Sequence, residues 1–319
     1  MSMNGSFLDT HPSSPIQASR LSEWGKSSRS GIRYVETRAA CFRVREGGSG
    51  GPTIVFFADG PNTLEHHDPI FDKLTQWARV ILVDPPGFGF SAPNPNFDFR
   101  VDSFADAFAE LLTALESGPY VLCPTCTNVY PSVLLAANQP ALVSHMVLMQ
   151  ALDWDQERSW TSKIVDPAGD LAKPYTGQEL IYKTGPIAAK VWYANAVGRA
   201  EQTEAFLRQS CECLSHRGNF CLASLIQSWF GPNIDPPSFT PVSQPVLAVW
   251  GLADRSHRKS DKRSLLKMAP HAQYIEREGV GHFPEIEDPT WFENLLRDFL
   301  GQAHGRFAGG RLSDPSPRE

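Results

Sequence analysis

A thiol, an imidazole and a carboxylate together can make and break an acyl bond. The imidazole takes the thiol proton and later returns it to a leaving group, while the carboxylate holds the ring and stabilises its cation. In this 319-residue chain the candidates are Cys126, His282 and Asp254. Cys126 lies in Pro124-Thr125-Cys126-Thr127-Asn128, between the apolar run Tyr120-Val121-Leu122-Cys123 and the apolar stretch from Val129 to Ala137. A strand that turns sharply into a helix with a nucleophile on the turn is a nucleophile elbow, whose usual form is G-x-S-x-G. Here both glycines and the serine are replaced. A helix N-terminus at Cys126 favours the thiolate, and Pro131 is tolerated in the first helical turn. The plain alternative is an inert buried cysteine. The presence of both His282 and Asp254 weighs against it.

The elements that must position these residues follow in chain order. Apolar runs bounded by Gly and Pro occur at 53–57, 79–83, 120–123, 144–149, 246–250 and 273–276. Such runs suit strands buried in a parallel sheet. Helical stretches separate them near 69–77, 103–116, 128–138, 260–268 and 290–300. This alternation predicts an α/β fold with helices on both faces of the sheet. Ile32 to Arg45 alternates loosely and suits early antiparallel strands. The alternation breaks between 153 and 241, a segment holding Trp154, Trp160, Trp192, Trp229 and Phe230. It reads as an inserted helical cap whose aromatics form a small core, line an apolar pocket, or do both. The expected division is a mobile leader over 1–30, a core over 31–152 and 242–302, a cap over 153–241 and a flexible tail over 303–319.

The order Cys126, Asp254, His282, with Asp59-Gly60-Pro61-Asn62 after the first buried strand, Trp250-Gly251-Leu252-Ala253-Asp254 and Gly281-His282-Phe283, resembles an α/β-hydrolase from about Thr53 to Leu300. It is similar to a cysteine-bearing branch in which D-G-P-N replaces the usual H-G, with the fungal trans-acting polyketide thioesterases as the nearest functional group. The resemblance implies a mostly parallel sheet with an inserted helical cap and a Cys126–His282–Asp254 triad. It also implies an acyl thioester substrate, which an acyl carrier domain of a synthase can present. No cofactor and no metal are implied.

In such a site one oxyanion donor is the backbone N–H of Thr127. The other usually comes from the residue after H-G, and here that residue is Pro61, which has no N–H. Gly60 or Asn62 is the expected replacement. Asp59 stands where the histidine of H-G would be; a loop-ordering hydrogen bond is its plainer role and a substrate contact the bolder one. Phe283, Trp154 and Trp192 are further candidates for the substrate pocket. His66 and His67 read as exposed loop residues. Asp153 and Asp155 offer another position for the triad acid, but the W-G-x-x-D pattern favours Asp254.

Other patterns carry less. Cys123-x-x-Cys126 matches a redox pair, but a thioredoxin-like site puts the first cysteine at the helix start. Cys211, Cys213, His216 and Cys221 match no common zinc spacing. The formal charge of −6 argues against a nucleic-acid partner. No run of about 18 apolar residues predicts a membrane span, and the polar start lacks the apolar stretch of a signal peptide. A cytoplasmic location is expected. Six irregularly spaced cysteines do not suggest a disulfide framework. The leading functional expectation is a thioesterase working through a cysteine acyl-enzyme, ending in hydrolysis or lactonisation. The rivals are an inactive ligand-binding member of the fold, and a cofactor-free lyase or isomerase using His282 as base.

Overall fold

The computed structural model describes residues 5–11, 29–231 and 234–302. Its centre is a nine-stranded sheet with eight strands along its main path: β1 (Ile32–Glu36), β2 (Ala40–Gly47), β3 (Thr53–Phe57), β4 (Arg79–Val83), β5 (Tyr120–Pro124), β6 (Val143–Met149), β7 (Val246–Gly251) and β8 (Gln273–Arg277). Their spatial order is β1-β2-β4-β3-β5-β6-β7-β8. β2 runs antiparallel to both β1 and β4, and the remaining pairings are parallel. Ala92–Pro93 adds a short antiparallel pairing to β2.

Strand periodicity splits the core in two. Successive side chains point to opposite faces. Val55, Phe57, Ile81, Val83 and Leu122 therefore face one core, and Ile54, Phe56, Val80, Leu82 and Val121 face the other. The first is covered by α2 (Val101–Leu115) and α3 (Val129–Asn138), the second by α1 (Asp68–Leu74) and α8 (Pro289–Gln302). Both faces are covered, which explains why the central strands read as continuous apolar runs rather than alternating ones.

The segment expected to be a cap is helical: α4 (Trp154–Trp160), a π-helical turn over Thr161–Val165, α5 (Thr176–Ala196), α6 (Ala200–Ser215) and α7 (Leu222–Phe230). The helix expected over 260–268 is instead a 3-10 turn, Ser264–Lys267. One such turn suffices to bury Leu265 and Met268, three residues apart. Within the expected leader, Phe7–Thr10 forms a helical turn whose buried Asp9 accepts a hydrogen bond from Ser224 of α7. Residues 12–28 of that leader and the whole expected tail lie outside the described residues. Among the described residues, no helix is long and apolar enough to cross a membrane.

Candidate active site

The strands deliver the chemistry at their C-terminal ends: Asp59 after β3, Cys126 after β5, Asp254 after β7 and His282 after β8. At the turn, Cys126 has φ +50°, in the left-handed region, and a 3-10 turn over Cys126–Asn128 leads into α3. Holding a non-glycine residue there is strained and needs surrounding support. Asn128 supplies part of it. Its amide donates to the carbonyls of Phe57 (3.4 Å) and Ala58 (3.3 Å), so a side chain that would crowd the elbow instead satisfies the end of β3. Thr125 donates to Glu285 Oε1 at 3.1 Å and ties the turn to the short helix after His282.

His282 is fully buried, and its Nδ1 lies 2.7 Å from Asp254 Oδ2. The same Oδ2 accepts from Gln150 Nε2 at 2.9 Å, while Oδ1 accepts from the backbone N–H and hydroxyl of Ser256. Burial pushes the Asp254 carboxyl up, but the His282 charge and these hydrogen bonds outweigh it and hold the pKa below the ordinary value. For His282, burial pulls the pKa down and the Asp254 carboxylate more than reverses this. Glu287 pins the histidine loop by accepting from the backbone N–H groups of Gly281, Phe283 and Gly198. With Nδ1–H facing Asp254, Nε2 is the free base nitrogen, and it has no hydrogen-bond partner among the described residues. Asp153 does not compete for this place. It caps α4, accepting from the N–H groups of Asp155 and Gln156, and binds Lys267 Nζ at 2.8 Å.

Facing Nε2 are the Cys126 thiol and Asp59: donor atoms of Asp59, Cys126 and His282 all lie within 4.8 Å of one another. Asp59 Oδ2 is 3.9 Å from His282 Nε2. Its Oδ1 accepts from the Thr127 hydroxyl at 2.7 Å. The Thr127 N–H, expected as an oxyanion donor, lies beside both the Asp59 carboxyl and the Cys126 sulfur. Burial pushes Asp59 up to about 6. The expectation that the helix terminus lowers the Cys126 pKa is overturned. Burial, followed by the negative fields of Asp59 and Glu157, raises the thiol well above its ordinary value.

Asn62 also departs from expectation. Its backbone N–H donates to the Asp59 carbonyl and its Oδ1 accepts from Tyr193 of α5 at 2.7 Å, so it ties the loop to the cap and does not line the cavity. Gly60 does line it. His66 and His67 are buried rather than exposed. His66 Nε2 bonds the Phe206 carbonyl at 3.1 Å, and burial lowers its pKa to about 4.

Between core and cap lies a cavity of about 570 Å³, with Cys126, Thr127 and Asp59 in its wall and a mostly apolar lining that includes Trp160, Leu225 and Phe230. Trp192 lines it as expected and meets the His282 ring edge-on, 4.9 Å between centroids. Trp154 and Phe283 do not line it. Trp154 is packed among Tyr130, Trp229 and Phe230, and Phe283 between Tyr193 and Phe206, because each side chain completes a local core. Glu157 was missed by the sequence reading. It is buried in the cavity wall, takes a hydrogen bond from Tyr130 at 3.1 Å and is pushed by burial up to about 7. The available signal was its position on a Trp-flanked helix, three residues before Trp160.

A metal would draw on Asp59, Cys126 and His282, or on Asp254, His257 and His282, whose donor atoms also lie within 4.8 Å of one another. Tetrahedral zinc at about 2.0–2.1 Å from each ligand sets them about 3.3 Å apart. The 2.7 Å Asp254–His282 contact is tighter than that and is a hydrogen bond. The Asp254–His282 pair therefore reads as part of a proton relay. All six cysteines are free thiols.

A family model described as alpha/beta hydrolase fold matches residues 50–289. A protein of Pantoea ananatis (strain LMG 20103) named as a carbamate hydrolase, RutD, is 24% identical over 253 residues, covering 79% of this chain and 88% of its own. Among solved structures, an esterase of Thermogutta terrifontis superposes with a TM-score of 0.66 at 17% identity, covering 86% of this chain and 99% of its own. The epoxide hydrolase VrEH1 of Vigna radiata gives 0.66 at 15% identity, covering 86% and 100%. At such identities the likeness is one of fold, and one fold hosts many chemistries.

Proposed function

The chain belongs to the alpha/beta hydrolase fold family, and on that premise we propose that it transfers acyl groups through a Cys126 acyl-enzyme, with a thioester as substrate. The observation that carries this reading is the placement of Cys126 in the wall of an apolar cavity, with the orphaned Nε2 of His282 beside it and Asp254 behind. The raised thiol pKa means that no resting thiolate is stored. The proton leaves Cys126 for His282 as sulfur attacks the acyl carbon, and Asp254 stabilises the resulting imidazolium. His282 then protonates the departing thiol. Exchange of one thioester for another is nearly isoenergetic, whereas making a thioester from an amide is uphill, so thioesters suit a cysteine nucleophile. Release follows by water or by a hydroxyl of the bound chain, giving an acid or a lactone. A long apolar chain suits the cavity, and an acyl carrier domain is one way to present it.

The test is intact-protein mass spectrometry after incubation with a panel of acyl thioesters. Wild type should gain one acyl mass, located on Cys126, and Cys126→Ala should gain none and lose turnover. A second reading, base catalysis by His282 without a covalent step, is favoured by one observation: burial and the neighbouring carboxylates raise the Cys126 thiol well above its ordinary pKa. Full turnover in Cys126→Ala would select it, and no turnover of any substrate in the wild type would leave a ligand-binding protein.

A further inference from the structure

We propose that Asp59, as a neutral carboxylic acid, donates its proton to the substrate carbonyl oxygen and so replaces the missing second oxyanion donor. The proposal rests on the acyl-transfer reading above. The geometry assigns the two oxygens different tasks. Oδ1 accepts from the Thr127 hydroxyl, so a proton on this carboxyl belongs on Oδ2. That oxygen looks across 3.9 Å at His282 Nε2, which has no hydrogen-bond partner among the described residues, and the Cys126 sulfur completes the cluster. The gap is too long for a direct hydrogen bond and lies where the reacting carbonyl must come. Among the other backbone groups of this loop, Pro61 has no N–H and that of Asn62 donates to the Asp59 carbonyl, which leaves Gly60 as the one rival to the Asp59 acid there.

The step balances without a co-reactant. The Cys126 S–H bond breaks and its proton goes to His282 as the S–C bond forms. The carbonyl π pair moves onto oxygen, which takes the Asp59 proton. On collapse the oxygen returns that proton to Asp59, the C=O bond re-forms, and the departing sulfur takes the proton held by His282.

The acid and base share one proton in the reactive form. Asp59 must be protonated while His282 is neutral. The groups facing Asp59 are His282 and Glu285 from the segment after β8, Cys126 on the elbow, Glu157 on α4 and Tyr193 on α5, with Asp254 behind His282. Burial, with Glu285 and Glu157 nearby, favours the neutral acid, and His282 opposes it. A second proton disables the base and loss of the shared proton disables the acid, so acylation should be bell-shaped in pH.

The experiment measures acylation of Cys126 against pH for wild type, Asp59→Asn and Asp59→Ala. Asparagine is a permanent donor but not an acid. Its variant should be slower at the optimum, keep the acidic limb and lose the alkaline one. Asp59→Ala should acylate about 10²–10³-fold more slowly. An unchanged alkaline limb in Asp59→Asn, or wild-type rates in Asp59→Ala, overturns the proposal while leaving the acyl-enzyme in place. Infrared difference spectra between wild type and Asp59→Asn give an activity-free readout. A carboxylic acid C=O band should be present in acid and fade as pH passes about 6. A carboxyl ionised throughout that range overturns the proposal by itself. Wild type that never acylates removes the acyl-transfer reading and this proposal together.

Discussion

Asp254 and Asp153 are both buried carboxylates near the strand ends, and their surroundings separate their roles. Asp254 is the hydrogen-bond partner of His282, itself oriented by Gln150 and Ser256. Asp254→Asn would no longer hold the ring in the tautomer that leaves Nε2 free. We expect kcat to fall by about 10³–10⁴-fold. Asp153→Asn should be mild, since asparagine caps a helix about as well as aspartate. A crippled Asp153→Asn beside a near-normal Asp254→Asn would place the acid on the wrong strand. The W-G-x-x-D spacing pointed to the carboxylate that hydrogen-bonds His282. The contact between Thr127 and Asp59 was not legible, because a hydrogen bond between side chains 68 positions apart has no signature along the chain.

At the level of elements, the loop carrying Asp59 is anchored by ions. Arg43 of β2 binds Glu65 and, at 3.2 Å, Asp84 just after β4, and all three side chains are fully buried. Asp84 Oδ1 also accepts the Leu64 N–H at 3.0 Å. Burial raises the Glu65 carboxyl, but Arg43 outweighs it and brings it down to about 2. Arg43→Met would leave the buried Asp84 without its cation and Glu65 with only Arg29, 3.9 Å away. We expect a loss of about 3–5 kcal/mol in urea unfolding. Replacing Glu65 and Asp84 by apolar residues in the same chain should recover much of it. If Arg43→Met alone unfolds at the wild-type midpoint, the cluster does not anchor the loop. The strands that frame it were legible as apolar runs. The cluster was not, since Arg43, Glu65 and Asp84 look like ordinary surface charges in a linear reading.

Across the whole molecule, closing the cap over the core creates the cavity and also a cluster of poorly solvated acids. Asp59 moves from 3.8 to about 6 and Glu157 from 4.5 to about 7. Each binds its proton more tightly when folded, so the native state holds more protons than the unfolded one across that window. The contribution of these groups to stability therefore falls as pH rises from about 4 to about 7. Asp59→Asn and Glu157→Gln should melt above wild type near pH 8, with the difference closing by about pH 4. A difference of equal size at both pH values would count against buried charge as its cause.

The succession of strands along the chain, the strand-to-helix turn at Cys126 and the pairing of Asp254 with His282 were legible in the sequence itself. Apolar runs, turn residues and motif spacing are local, and the chain has few ways to satisfy them. What only the tertiary structure decided is the state of that chemistry. Whether the thiol rests ionised depends on how much water the cap excludes and on which carboxylates it brings near. Burial and the fields of Asp59 and Glu157 overrode the helix terminus that favoured a thiolate. Trp154 and Trp192 belong to the same aromatic segment, yet one completes a core and the other faces the cavity. Desolvation and electric field are sums over everything that folds around a group, and no stretch of sequence carries them alone.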